Sequence, residues 1–365
     1  MSTSSAVTVV IAPDSLKGSL DALPAAEALA AGWHRVRPDD DLLLLPQADG
    51  GEGTMAALAA GDERSAYRDA GTVTGPDGRG TPGRWLRLGN QDAVLELAQM
   101  SGLPLMRRPD PLGANCIGLG QVMAAALADG AQRILVGLGG SASTDGGAGI
   151  LTGLGARLLD ADGNDLPPGG AALRNLARLD TSAMRRPDEV VVLTDVESPL
   201  LGAQGAAAVF GPQKGADADD ISVLEQGLRR LAEVVGIDSD RPGMGAAGGA
   251  GYALAAALGG RIEPGAPYIA SASGLTEAVA GAEVLITGEG KFDQTSLSGK
   301  VVGYALSLPG APMKVVVAGA VATEVPGVDT VALADLAGSP AASFADPARW
   351  LAEAGARAAG QLRQT

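Results

Sequence analysis

The chain runs to 365 residues, 46% of them apolar and 19% charged, so it can bury a sizeable core and is not a disordered polymer. Its 27 Lys and Arg against 42 Asp and Glu leave a formal charge of −15, a field that repels a nucleic-acid backbone. No stretch approaches the run of about 18 apolar residues that a membrane-spanning helix needs, and Met1–Ala12 lacks the basic flank of a signal peptide. A soluble, cytoplasmic protein of one large or two ordinary domains is expected, with no nucleic-acid or membrane partner.

Val7–Ala12 is a short, β-branched apolar run of the kind that forms a buried parallel strand. It enters the loop Pro13–Ser19, after which Asp21 is placed to cap a helix that tolerates Pro24 in its first turn. Leu42–Leu45 is a second buried strand, followed by the polar loop Gln47–Thr54 and an Ala-rich helix. The same pattern returns near the C-terminus. Glu283–Thr287 runs into the loop Gly288–Asp293, Lys314–Ala318 into Gly319-Ala320, and Val328–Leu333 precedes a closing helix at Pro347–Arg363. Strands of this kind with helices between them predict an α/β fold with a doubly wound parallel sheet. In such a sheet ligands lie beyond the carboxyl ends of the strands.

The middle of the chain reads differently. Val73-Thr74, Arg84–Leu88 and Ala93–Leu97 look like short antiparallel strands joined by turns at Pro76–Gly78 and Gly89–Asp92. A helix over about Gly118–Ala128, strands at Arg133–Val136 and Glu189–Thr194, and a helix over Ile221–Val235 follow. The expected organisation is a discontinuous sheet domain, residues 1–66 plus 277–365, interrupted by a mixed α/β domain over 67–276.

Scarce residues narrow the chemistry. His34 is the lone histidine and Cys116 the lone cysteine, which excludes His- or Cys-built metal clusters, intrachain disulfides and a Ser-His-Asp triad with any choice of base. Cys116 reads as a small buried residue rather than a nucleophile. The densest local signal is the Gly-rich run Gly137–Gly149. Its first part, Gly137–Ala142, fits a G-x-G-x-x-A dinucleotide fingerprint, with Asp160 about where a ribose-binding acid belongs. A tight structural turn accounts for it equally well. The following Asp145-Gly146-Gly147 lies outside that fingerprint and, with Ser141, can form a nest of N–H groups for phosphate oxygens. Gly299-Lys300 is followed by Val301, so no Walker A motif is present.

Carboxylates punctuate the predicted strand ends: Asp14, Asp49 with Glu52, Asp195 with Glu197, and Glu289 with Asp293. Lys17, Lys214, Lys291 and Lys300 share the same or adjacent loops. Any one of these is ordinarily a cap or a solvated charge. Their recurrence at four strand ends suits Mg²⁺–ATP chemistry, in which carboxylates hold a hard cation and lysines offset phosphate charge.

These loops, in this order, resemble the bacterial type I glycerate kinase family. The matching stretches are Ile11–Leu20, Ala48–Thr54, Gly137–Gly149, Thr194–Gly202, Val209–Ala216, Gly243–Leu254 and Ile286–Lys300. The resemblance implies a flavodoxin-like domain interrupted by a second one, a site in the cleft between them, and phosphorylation of D-glycerate by ATP with a divalent cation, usually at the 2-hydroxyl. It also turns the dinucleotide fingerprint into a phosphate loop. The chain departs from the family over Asp110–Gly120, where Ala114, Cys116, Ile117 and Leu119 replace hydroxyl-bearing residues.

On this reading Asp14, Ser15, Lys17, Asp49 and Glu52 bind the hydroxy-acid, with Lys17 pairing with its carboxylate. Gly139, Gly140, Ser141, Asp145, Gly146 and Gly147 cradle phosphates, and Lys214 and Lys300 offset their charge. Glu289 and Asp293 hold Mg²⁺, and Asp195 takes the proton of the acceptor hydroxyl, with Lys300 as its catalytic partner. Two other readings compete: an NAD-dependent oxidoreductase using Gly137–Ala142, and a non-catalytic sensor of sugar acids that keeps the same cleft.

Overall fold

A computed structural model describes residues 6–362. In chain order the first strands are β1 (Thr8–Pro13), β2 (Asp41–Leu44), β3 (Ala66–Thr74), β4 (Gly80–Arg87) and β5 (Ala93–Glu96). They are followed by β6 (Arg133–Gly137), β7 (Arg157–Leu159), β8 (Arg178–Asp180), β9 (Glu189–Leu193) and β10 (Arg261–Glu263). The last three are β11 (Val284–Phe292), β12 (Met313–Val321) and β13 (Val328–Ala332). The chain separates into two compact units, one of Met1–Asp49, Ala56–Glu63 and Ala266–Thr365, the other of Gly50–Met55 and Arg64–Gly265. Their boundaries differ from 66/67 and 276/277: residues 50–55 cluster with the second unit and 266–276 with the first.

The first unit is a parallel sheet in the order β13-β12-β11-β1-β2. Counted along the unit, that is the flavodoxin-type order, whose strand sequence reverses beside β1. Alternation within β1 shows why the strand is apolar throughout. Val9 and Ile11 pack with Leu29, Trp33 and Leu351 on one face, while Val10 and Ala12 pack with Ala270, Val279 and Leu308 on the other. Helices Ala22–Val36 and Pro347–Gln361 approach so closely that a Cβ on Gly32 would stand 1.8 Å from the Ala352 carbonyl oxygen. Asp21 occupies the N-cap of the first helix, but its side chain makes no capping hydrogen bond.

One strand end differs from the expectation. β11 does not stop at Thr287 but stays paired with β12 through Lys291 and Phe292, opposite Ala320 and Val321. Glu289 and Lys291 therefore stand on a strand rather than in a loop. Gly288 and Gly319 permit this close pairing, because a Cβ on either would fall within 2.5 Å of a backbone oxygen of the neighbouring strand.

The second unit holds a mixed sheet in the order β10-β9-β6-β5-β4-β3. β3 and β4 are antiparallel, as is β4 with β5, but β5, β6, β9 and β10 run parallel. The segment expected as a third antiparallel strand is thus the first strand of a parallel half. Its partner is β6, which lies in register from Ala93↔Ile134 to Glu96↔Gly137. Leu95, Leu97, Val136, Ile150 and Leu254 fill the core around it.

Candidate active site

In the first unit, β1 ends at the reversal of the strand order, the place where open α/β sheets bind ligands. The Asp14 N–H donates to the Gly288 carbonyl at 2.8 Å, setting Asp14 beside Glu289. Gln47 steers the neighbouring chain: its N–H donates to the Pro13 carbonyl at 2.9 Å, and its side-chain amide donates to Leu45, Pro46 and Ser273. Asp49 follows two residues later, near enough that its charge acts on Asp14. Burial, reinforced by Asp49, pushes the Asp14 carboxyl up to about 7. Such a group is poised to take a proton near neutral pH.

Two lysines complete this cluster. Lys17 sits on the tight turn Leu16–Leu20, where Gly18 adopts φ +80°, and acts on both Asp14 and Glu289. Lys300, exposed at the N-cap of the helix Val301–Ser307, also acts on Glu289. Burial raises the Glu289 carboxyl, and its Oε1 is buried without a hydrogen-bond partner. The structure therefore brings Asp14, Ser15, Lys17, Asp49, Glu289 and Lys300 to one sheet end.

Of the expected Mg²⁺ pair, Asp293 already has partners within its own turn. Asp293 accepts from the Thr295 hydroxyl at 2.7 Å and amide at 2.9 Å and pairs with Lys291 at 3.0 Å, which together hold its carboxyl well below the usual range. Its Oδ1 caps the turn Gln294–Leu297, and its Oδ2 is the oxygen that faces Lys291. Among the described residues no group of three or more His, Cys, Asp or Glu side chains is arranged to hold a metal. Glu289, by contrast, keeps a buried oxygen with no hydrogen-bond partner.

In the second unit the parallel strands β5, β6 and β9 end together, at Glu96, Gly137 and Leu193. The segment Gly50–Met55 lies against these ends: a Cβ on Gly139 would meet the Gly51 Cα at 2.8 Å. Glu52 is exposed on this segment, and a Cβ on Gly140 would stand 3.5 Å from its Oε1. Glu52 thus groups with the Gly139-Gly140 turn of the second unit, while Asp14, with which the sequence grouped it, belongs to the first. Asp195 is exposed just past β9 and accepts the Gly265 N–H at 2.9 Å.

The Gly-rich run divides into an accessible and an inaccessible part. Gly139 and Gly140 reach the surface, Gly140 with φ +61°, whereas residues 141–149 are buried. Gly146 and Gly147 face Leu231 and Ala253, not solvent. Asp145, 1% exposed, accepts the Cys116, Gly147 and Gly149 amides and the Ser143 hydroxyl. Lys214, also 1% exposed, donates to Ser141 and to the Ser143 carbonyl. Asp145, Gly146, Gly147 and Lys214, expected to touch phosphate, instead build the loop from within. The sequence could not show this, because the partners of Lys214 lie some seventy residues away.

The sequence reading also missed Glu96. Its carboxylate, 2% exposed and raised by burial, accepts the Met55 N–H at 2.7 Å and the Gln99 amide at 3.1 Å. A lone acid inside the apolar run Ala93–Leu97 was the available signal. The exposed Arg107 and Arg108 were passed over as well. They follow Leu103, whose N–H donates to the Gly140 carbonyl at 2.8 Å.

The dinucleotide reading fails on geometry. Residues 143–147 separate the fingerprint Gly137–Ala142 from the helix Ala148–Gly153, so the fingerprint glycines do not open a helix. Asp160 closes its own turn, accepting the Asp162 and Asn164 amides at 2.9 and 2.8 Å.

A flavodoxin-type sheet with an acid- and lysine-lined switch point in one unit, and a parallel sheet with an accessible glycine turn in the other, suit an α/β phosphotransferase class of protein. The chain belongs to the glycerate kinase family, whose model matches residues 9–365. It is 42% identical over 312 residues to the glycerate 2-kinase of Escherichia coli K12, covering 81% of each chain. The glycerate kinase of Bacillus subtilis is 41% identical over 309 residues, covering 81% of this chain and 80% of that one. A crystal structure described as glycerate kinase 2 of Salmonella typhimurium LT2 superposes with a TM-score of 0.82 at 36% identity, covering 98% of both chains. Neither the oxidoreductase nor the sensor reading finds support among these relatives. No helix of the described residues is long and apolar enough to cross a membrane.

Proposed function

We propose that this chain phosphorylates D-glycerate from ATP in the cytoplasm, giving 2-phospho-D-glycerate and ADP. The substrate hydroxyl oxygen attacks the γ-phosphorus in line, the bond to the ADP oxygen breaks, and the hydroxyl proton passes to a carboxylate. Lys17 pairs with the carboxylate of the acid, and Ser15 and Asp49 orient its hydroxyls. Asp14 is the proton acceptor in preference to Asp195, since it stands in the acid-binding cluster and its environment holds it near neutral pH. Asp195 keeps one oxygen on the Gly265 amide, just past β9 of the second unit.

The Gly139 and Gly140 backbone receives the phosphates of ATP. A Cβ on Gly139 would stand 2.8 Å from the Gly51 Cα, and Gly140 takes a left-handed φ of +61°, so only glycines can make this turn, whose backbone N–H groups can serve as an anion nest. Lys300 offsets charge near the transferred group. Mg²⁺, when carried in by the nucleotide, neutralises charge on the phosphate oxygens, and the unpartnered oxygen of Glu289 is the protein acceptor facing that task.

The observation that carries this reading is the cluster of Asp14, Asp49, Glu289, Lys17 and Lys300 at the switch point of the first sheet, in a chain of this family. The test is ADP release from purified protein with D-glycerate and Mg–ATP, followed by phosphorus NMR of the product. Coupling to a single proton identifies the 2-phosphate, and coupling to two identifies the 3-phosphate. Absence of glycerate-dependent ADP release would overturn the reading.

A further inference from the structure

Lys214 closes the turn Pro212–Lys214, and its burial needs a reason, because an ammonium is costly to remove from water. Its Nζ donates to the Ser141 hydroxyl at 2.9 Å, to the Ser143 carbonyl, and at 3.4 Å to the Thr144 hydroxyl. All three of its hydrogens thus go to one stretch of chain. From the other side Asp145 accepts the Ser143 hydroxyl at 3.0 Å. Ser143 is therefore gripped twice, by its carbonyl on the buried cation and by its hydroxyl on the buried anion.

The surrounding backbone is shaped around this grip. A Cβ on Gly248 would stand 2.0 Å from the Ser143 carbonyl oxygen and 2.8 Å from Nζ. Ala247, Gly248 and Gly249 all take positive φ, interrupting the helix Ala246–Tyr252 where it passes the lysine. A left-handed alanine is a strained conformation that the packing must enforce. Apolar residues of similar volume could fill such a space at no loss of stability. What they could not do is fix the path of Ser141–Thr144 while its neighbours Gly139 and Gly140 stay at the surface.

We infer that Lys214 is the positioning residue of the nucleotide loop, holding Ser141–Thr144 so that the Gly139-Gly140 N–H groups face the phosphates, without touching the nucleotide itself. This rests on the kinase reading above. The titratable groups that act on Lys214 are Asp145 and Cys116. Burial and then Asp145 drive the Cys116 thiol well above its ordinary value, so it stays neutral, and Asp145 alone supports the ammonium. Burial outweighs that support and brings the Lys214 ammonium down to about 8. In mildly alkaline solution the lysine loses a proton and the loop loses a donor.

The experiment compares wild type, Lys214→Met and Ser141→Ala from pH 6.5 to 9.5. It reads KM for Mg–ATP, KM for D-glycerate, kcat, and direct binding of a fluorescent ATP analogue, with thermal melting to confirm folding. In the wild type the KM for ATP rises several-fold across the alkaline range while that for glycerate holds. Lys214→Met already shows a rise of about tenfold at neutral pH, the scale of one lost charge-assisted bond, with no further alkaline rise. Should that variant not fold, Ser141→Ala carries the test, with a smaller rise in KM for ATP that keeps the alkaline limb. A fall in kcat of Lys214→Met at unchanged KM would make Lys214 a group that touches the transferred phosphate and overturn the proposal. A wild-type profile flat to pH 9.5 would overturn it too. If the analogue binds but glycerate is not phosphorylated, the kinase reading fails, and the pH dependence of analogue binding still decides the role of Lys214.

Discussion

Asp14 and Glu289 stand at the same level of adjacent parallel strands, fixed there by the register that pairs Pro13 with Gly288. Two carboxyls so placed, with Asp49 acting on the first, cannot all ionise freely. Asp14→Asn removes the proton acceptor but keeps the shape of the side chain. The expected result is a fall in kcat of about 10²–10⁴ with KM for ATP within a few-fold. Asp195→Asn, by contrast, leaves kcat within about tenfold, because Asn can still accept the Gly265 N–H. Saturation kinetics on both variants check the assignment, and the reverse ranking would restore Asp195 as the base.

The same carboxyl makes stability depend on pH. Asp14 titrates at about 7 in the folded chain against 3.8 in the unfolded one, so the native state binds the extra proton across that window. Stability from this group is highest below pH 4 and declines as pH rises towards 7. Asp14→Asn escapes the decline. Its gain in Tm over wild type should grow from pH 4 to pH 7 and then level off, as calorimetry across that range would show.

What the sequence could reveal follows the range of the interactions involved. Val7–Ala12 was legible as a buried strand because both of its faces meet core, so every position is apolar. The continuation of β11 through Glu289-Gly290-Lys291 was not legible. It depends on glycines that let two polar strand ends stay paired, and polar residues ordinarily mark a strand's end. The Asp14, Lys17 and Asp49 positions were visible as charges at predicted strand ends. Lys214, read as a cation of a neighbouring loop, and Asp145, read as part of the Gly-rich nest, were not legible as buried: their partners come from distant segments. Composition alone cannot separate a cation exposed at a strand end from one buried within a loop.

Glu96 gives a case where loss of one atom group should act at a distance. Its carboxylate receives the Met55 amide, at the end of the segment that carries Glu52. Glu96→Ala leaves that buried N–H unsatisfied, at about 1–3 kcal/mol, and frees the segment beside Gly139 and Gly140. A lower denaturation midpoint and a raised KM for ATP, with KM for glycerate little changed, are expected. A variant of full stability and wild-type kinetics would show that the anchor is dispensable.

Turnover should require a divalent cation. The two sheet ends offer a few cations and backbone N–H groups, but no protein group substitutes for the charge that Mg²⁺ neutralises on the phosphates. Excess EDTA is expected to abolish ADP release, and Mg²⁺ or Mn²⁺ added beyond the chelator to restore it. Because no described cluster of carboxylates holds a resident metal, EDTA should leave the melting temperature of the unliganded protein unchanged. A drop in Tm on chelation would point instead to a structural ion.

Lys17→Met should weaken binding of the hydroxy-acid and spare the nucleotide. Lys17 is exposed on the turn Leu16–Leu20 and acts on both Asp14 and Glu289, so it is the cation that lets an acidic cluster accept a carboxylate. Lys300 also acts on Glu289 but begins a helix and is assigned to the transferred phosphate. Removing one charge-assisted bond costs about 1.5–3 kcal/mol, or roughly a 10- to 150-fold rise in KM for glycerate. Methionine keeps the length of the stem, and the Leu16–Leu20 turn depends on backbone bonds and on Gly18, so folding should be preserved. A second consequence follows from electrostatics. Without the ammonium, Asp14 loses a charge that favours its ionised form, and the acidic limb of the kcat profile should move to higher pH. Glycerate titrated at saturating Mg–ATP, and Mg–ATP at saturating glycerate, separate the two effects. A change confined to KM for ATP would place Lys17 with the nucleotide and require the acid to be held elsewhere.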